Sequence, residues 1–169
     1  ANMSLYAPYV LDAGQTNEVG NQLAWRFFFK GVVGLLLGWI LVKSNPRTGL
    51  LITGLLFVAS QVWAIFVPGI AYLFAFAIYG AGELVGVYAP NYILSASSPH
   101  RMRQNMAYVT MMMMPAAPAG YLFGMIAAAP GLDPASGFRL SFVVCAGVLV
   151  VGLILAVVLL PKRPAPDTR

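Results

Sequence analysis

From Leu140 to Leu160 the sequence contains no charged residue, and an apolar run of that length has few places to fold. A helix needs about 20 apolar residues to cross the roughly 30 Å hydrocarbon core of a bilayer. Only structures that pair their backbone N–H and C=O groups internally persist there. Four further stretches are long enough, so the expected spans are approximately Leu23–Val42, Gly49–Val67, Ile70–Ser95, Asn105–Ala129 and Leu140–Leu160. Helix breakers and polar residues separate them: Lys43-Ser-Asn-Pro-Arg47, Val67-Pro-Gly69, Ser97–Arg103 and Pro130–Gly137. Composition points the same way, because 60% of residues are apolar and 9% charged, against about 25% charged in a soluble domain. The expected fold class is therefore all-α: a polytopic transmembrane helical bundle of five spanning helices in one domain, residues 1–160, followed by a tail, 161–169.

Cytoplasmic loops hold an excess of Lys and Arg, and here alternate connections do so. Lys43 and Arg47, Arg101 and Arg103, and Lys162, Arg163 and Arg169 fall on one side. The other side carries Asp12 and Glu18, the uncharged Pro68-Gly69 turn, and Asp133 with Arg139. This places the C-terminus in the cytoplasm and Asp12–Gln22 opposite. Ala1–Leu11 is too short to span at 1.5 Å per residue and has neither the positive start nor the small-residue cleavage site of a signal peptide. It reads as the last turns of a preceding helix or as a segment lying on the membrane.

Three charged side chains fall inside the spans. Charges at bilayer depth cost roughly 2.5–3.5 kcal/mol on insertion scales and turn toward protein or water. Arg26 and Lys30, at i and i+4, share one face of the first span. Glu83 lies on the order of 20 Å from the outer end of the third span, near mid-membrane, where a full charge needs a partner. Arg26 or Lys30 is that partner in either of two readings, an ion pair that locks two helices or a substrate or proton site. Tyr72, Phe76, Tyr79, Glu83, Gly86 and Pro90 recur at spacings of three and four, which predicts one aromatic, hydroxyl-bearing face around the carboxylate.

The fourth span aligns Asn105, Tyr108, Met112 and Pro115, contains the run Met111–Met114, and is interrupted by Pro115 and Pro118. Prolines in membrane helices give kinks, so a kinked helix with an adaptable packing face is expected. The second and fifth spans, without ionisable groups other than Cys145, are expected at the periphery. Gly34-x-x-x-Gly38, Gly82-x-x-x-Gly86 and Gly120-x-x-x-Gly124 permit close helix approach.

Enzymatic chemistry has little to stand on, and no catalytic residue is assigned. Ser60, Ser95 and Cys145 have no histidine nearby in sequence, and His100 lies in a basic loop with Arg101 and Arg103 that faces solvent, headgroups or a cytosolic partner. The five acids are scattered singly and the lone Cys145 and His100 make no ligand set, so no metal and no cofactor is expected. Gly80–Gly86 has the wrong spacing for a dinucleotide loop, and a nucleic-acid partner does not fit the composition.

The pattern of spans, charges and prolines resembles the C-terminal half of a major facilitator superfamily transporter over nearly the whole chain. Ala1–Leu11 is similar to the end of helix seven, and the five spans to helices eight to twelve. In that family helices seven, eight, ten and eleven line a central cavity, and the charges and prolines here fall on the counterparts of eight, ten and eleven. The turn Gly38-Trp-Ile-Leu-Val-Lys43-Ser-Asn-Pro-Arg47-Thr-Gly-Leu50 resembles the family loop Gly-x-x-x-Asp-Arg-x-Gly-Arg-Arg. Gly38, Lys43, Arg47 and Leu50 fit, whereas Val42, Asn45 and Pro46 depart from it. The resemblance implies a gating loop with Lys43 and Arg47, and a small-solute or ion-coupling site at Tyr6, Arg26, Lys30, Tyr79 and Glu83.

Such transporters rock two six-helix halves around a midplane site. The chain is thus a fragment of a longer transporter, a half that pairs with another membrane chain, or a shortened relative acting as an accessory subunit of a larger respiratory or photosynthetic complex. Its expected partners are the lipid bilayer, another membrane protein chain and, in the transport reading, a small organic anion.

Overall fold

The computed structural model describes residues 2–12, 14, 16–114 and 118–162. Among them the regular structure is helical. A short α1 (Asn2–Tyr6) runs into a 3-10 turn (Ala7–Tyr9), and a second 3-10 segment (Thr16–Asn21) leads into α2 (Gln22–Lys43). Next come α3 (Pro46–Phe66), a 3-10 turn (Ile70–Leu73) continuing as α4 (Phe74–Gly82), and α5 (Val85–Ala96). The chain closes with α6 (Met102–Met113), α7 (Ala119–Ala127) and α8 (Pro134–Leu159).

Four stretches are long and apolar enough to cross a membrane: Gln22–Ile40, Pro46–Phe66, Ile70–Ala96 and Pro134–Leu159. The expected span 105–129 is instead two shorter helices, α6 and α7, on either side of Met114–Pro118. Pro118, which cannot donate a backbone N–H, is the residue from which α7 starts. Pro115 lies outside the described residues.

Capping explains where α3 and α8 begin. Asn45 precedes Pro46 and accepts a hydrogen bond from the Thr48 backbone N–H at 3.2 Å. Asp133 precedes Pro134 and accepts one from the Ser136 N–H at 3.0 Å. In both, a side-chain oxygen satisfies an orphan donor while proline occupies the first turn, where its missing N–H costs nothing. Hydrogen bonding from Ser136, side chain first and then backbone, holds the Asp133 carboxyl below its ordinary value. This cap starts α8 at Pro134, six residues before the expected span.

The interior of the chain is the Ile70–Ala96 span, 50% of whose apolar window is buried, against 6% in α2 and in α8. It contacts α2 through α4 and α3 through both α4 and α5. Contrary to the expectation of a peripheral second span, α3 is 28% buried and also packs on α8. Its buried residues are Gly49, Thr53, Ser60, Gln61 and Ala64. Helices in lipid associate through small and weakly polar residues that let backbones approach, so the absence of ionisable groups did not mark α3 as an outer helix. The fifth span, α8, is exposed along most of its length.

The N-terminal segment is part of this packing. Met3, Tyr6, Ala7 and Leu11 are buried with Tyr72, Phe76 and Phe142. The Tyr72 hydroxyl donates to the Met3 carbonyl at 2.6 Å. Gly69, at φ 67° and ψ −161°, adopts a conformation essentially reserved for glycine and so turns its N–H to the Val10 carbonyl at 2.9 Å. The turn after α3 thereby ties down residues 2–11.

Candidate functional site

At Gly80 the backbones of α2 and α4 meet. A Cβ added there would overlap the carbonyl oxygen of Arg26, so the approach depends on glycine having no side chain. Once the helices are this close, the Arg26 side chain reaches along α4 to the carboxylate that follows it. Arg26 Nε donates to Glu83 Oε2 at 3.0 Å, and Nη2 pairs with Oε1. That is the two-pronged guanidinium–carboxylate geometry, stronger and more directional than a single contact.

Lys30, one turn further along α2, is the looser partner, with Nζ 3.5 Å from Glu83 Oε2. The Arg26 guanidinium also lies 5.3 Å from the centre of the Tyr79 ring, within cation–π range. Phe57 of α3 holds the other side of that ring edge to face at 5.2 Å. The Arg26 and Lys30 side chains are 33% and 34% exposed and Glu83 20%. The cluster is therefore neither sealed nor solvated. Two cations share one anion, and the group carries one net positive charge.

The local backbone around Glu83 is irregular. Glu83 and Leu84 interrupt the helix between α4 and α5, and the chain tightens to three-residue hydrogen bonds, Leu84 N–H to Ala81 O, Gly86 N–H to Glu83 O and Val87 N–H to Leu84 O. Pro90, inside α5, cannot donate to the Gly86 carbonyl and its ring crowds that group; the break lies just upstream. The single face expected from Tyr72 to Pro90 therefore holds on the N-terminal side of the break, and Gly86 and Pro90 lie beyond it. Tyr72 and Phe76 belong to the buried cluster around α1 and Tyr79 packs against it, Tyr79 also meets the Arg26 guanidinium, and a Cβ added at Gly86 would meet nothing.

Of the residues expected together, Arg26, Lys30, Tyr79 and Glu83 are together and Tyr6 is not. Tyr6 is fully buried, its hydroxyl accepts a hydrogen bond from Arg139 Nε at 2.8 Å, and its ring packs on Tyr72 and Phe142. Sequence position alone made Arg139 a loop charge. It is the N-terminal part of α8, and its partner is supplied by α1.

The basic turn between α2 and α3 serves a contact within the chain. Arg47 Nη2 donates to the Val157 carbonyl at 2.8 Å, satisfying one of the free carbonyls at the end of α8. Tyr92 of α5 donates to the Pro161 carbonyl at 3.0 Å at the same end of the bundle. Lys43 is the last residue of α2, and its side chain lies outside the described ones, as do Arg163 and Arg169.

The glycine pairs legible as x-x-x motifs are not, in the main, where helices touch. Gly38, Gly86, Gly120 and Gly124 have open space beside them. Gly80, Gly82, Gly54 and Gly137 make the close approaches, to Arg26, Phe57, Leu153 and Ala127 respectively. Among the described residues no group of His, Cys, Asp and Glu is placed to hold a metal ion.

A family model described as Major Facilitator Superfamily matches residues 1–169. No curated protein and no solved structure matches the chain.

Proposed function

Because the chain belongs to the major facilitator superfamily, a family of transporters, we propose that it is a component for transport of a small solute in which Arg26, Lys30, Tyr79 and Glu83 form the solute or ion-coupling group. The observation that carries this reading is the ion cluster beside an interrupted helix. Discontinuous membrane helices recur at transporter sites, where broken backbone and ionisable groups meet substrate or ion. The cluster's surplus positive charge suits an organic anion, and the looser contact makes Lys30 the cation free to turn toward it. Glu83 is the group that takes up a coupling proton.

Alternating access needs an opposing bundle across the site. In this reading the opposing bundle comes from the same polypeptide or from another chain. A second reading is favoured by one specific observation, the saturation of Glu83 by both cations. A carboxylate so fully paired is also what a structural lock between two helices requires, and the chain would then be a non-transporting subunit packed against a larger respiratory or photosynthetic complex. Purification from native membranes separates the two. A second six-helix bundle recovered with this one is the expected result; a large complex with no solute route through this chain replaces transport with the subunit reading.

The proposed orientation puts the C-terminus and the loop at His100 in the cytoplasm, because Lys and Arg accumulate on that side. Introduced cysteines at Leu132 and His100, both exposed, report it in a Cys145→Ser background. A membrane-impermeant maleimide is expected to label L132C in intact cells and H100C only after permeabilisation. The reverse pattern inverts the topology.

A further inference from the structure

A cavity of about 250 Å³ lies beside Tyr79, among α1, α3, α4, α7 and α8. We propose that it is a binding site for a small uncharged aromatic molecule bearing a hydroxyl group, of phenol to indole size, with the Gln61 amide as its hydrogen-bonding anchor.

Gln61 is the reason. It is 6% exposed, it lines the cavity, and the hydrogen bond its side chain makes within the described residues is a long one, Nε2 to Ser60 Oγ at 3.4 Å. That Ser60 oxygen is otherwise engaged, donating to the Phe57 carbonyl at 2.7 Å. The Gln61 carbonyl oxygen has no donor among the described residues. A side-chain amide that lines a cavity with an acceptor oxygen to spare is a ready partner for a hydroxyl that enters it.

The remaining walls set the partner's character. Tyr79, Phe123 and Phe142 contribute rings, and Met3 an adaptable apolar surface. Among the described residues no charged side chain lines the space, and an ion there would meet an uncompensated desolvation penalty. Benzene fills an engineered cavity of roughly 150 Å³, so 250 Å³ holds one substituted ring. A phenolic O–H donates to the Gln61 carbonyl oxygen while its own oxygen accepts from Nε2, and this pair of bonds is what selects a hydroxyl-bearing ring over a hydrocarbon.

Tyr79 also stands over Arg26, so this cavity adjoins the ion cluster without sharing its charges. The proposal does not depend on transport.

Cys145 lines the cavity and is the chain's one cysteine, which makes it a built-in reporter. The full chain in nanodiscs is titrated with 4-fluorophenol, read by the rate of Cys145 modification by a methanethiosulfonate reagent and by broadening of the ligand's fluorine resonance. Saturable protection of at least threefold, with parallel broadening, is expected. Gln61→Leu, which keeps the volume and removes both hydrogen bonds, is expected to weaken binding by tenfold or more. Gly120→Leu fills the space from α7, where an added Cβ meets nothing, and is expected to abolish both signals. If Cys145 does not react, the fluorine signal alone decides. The proposal is overturned by absent or non-saturable binding, by equal binding in both variants, or by 4-fluorobenzoate binding as well as the phenol.

Discussion

Glu83→Gln is expected to abolish proton-coupled uptake in membranes containing the full assembly, a loss of at least a hundredfold. The amide keeps the size of the side chain but neither ionises nor carries a transferable proton. It also leaves Arg26 and Lys30 facing each other without their shared anion, and unpaired charges at bilayer depth are among the costliest features a membrane helix carries. Removing one partner of a fully buried pair costs roughly 3–5 kcal/mol; with these side chains 20–34% exposed, a loss on the order of 2 kcal/mol is expected here. A fall in stability alone would therefore be uninformative, and Glu83→Asp separates the effects. Aspartate restores a titratable group and a partner for Arg26, so it is expected to recover stability and part of the flux. Unchanged coupled flux in Glu83→Gln removes Glu83 from the mechanism and leaves the pair as a lock between α2 and α4.

Gly80→Leu is expected to be strongly damaging to the fold. The atom it meets first is the backbone carbonyl of Arg26, which cannot rotate aside as a side-chain tip can. Inserted bulk in a packed interior costs about 1–3 kcal/mol, occasionally more, and here α2 must move off α4, stretching the contact between Arg26 and Glu83. The two penalties act together, and the expected readout is loss of a monodisperse peak in detergent, with the thermal midpoint lowered by 10 °C or more in whatever protein remains. Gly86→Leu is the matched control, in the first turn of α5 just past the helix break and with open space for an added side chain. It is expected to leave the isolated chain's midpoint within 2 °C. Equal damage from both substitutions would mean that the α2–α4 approach at Gly80 does not hold the site together.

These two glycines show where reading the sequence reached its limit. Both are small residues on one span, and by spacing Gly86 is the better candidate, because it completes a Gly-x-x-x-Gly pair with Gly82. The pattern assumes one continuous helix. The helix is interrupted at Glu83 and Leu84, between Gly82 and Gly86, and a Cβ added at Gly86 would meet nothing. Tyr72, Phe76 and Tyr79 all precede the interruption and stay in one packed group. The i, i+4 pair Arg26 and Lys30 lies on the unbroken helix α2, and its shared face survives intact in the contact with Glu83.

Tyr6 and Arg139 are the complementary case. They are separated by almost the whole chain, and neither has a local signal that names the other. The buried tyrosine needs a partner for its hydroxyl, and only the packing of α1 against α8 supplies Arg139. Gln61 escaped notice for a related reason. An amide in an apolar span is uncharged and attracts no attention until its surroundings show how little it is bonded to.

The amino-acid sequence by itself determined that this chain is a membrane-spanning helical bundle and that Arg26, Lys30 and Glu83 need one another. Both conclusions rest on costs that scale with depth in the bilayer, and these are carried by each segment irrespective of its neighbours. The tertiary structure alone decided that α3 packs against α4, α5 and α8, that α2 meets α4 at Gly80, that Arg47 holds the end of α8, and that Tyr6 belongs to Arg139. Each of these depends on the relative rotation and offset of two helices, set by side-chain fit across an interface and by the bend at Glu83, and no periodicity within a single segment encodes it.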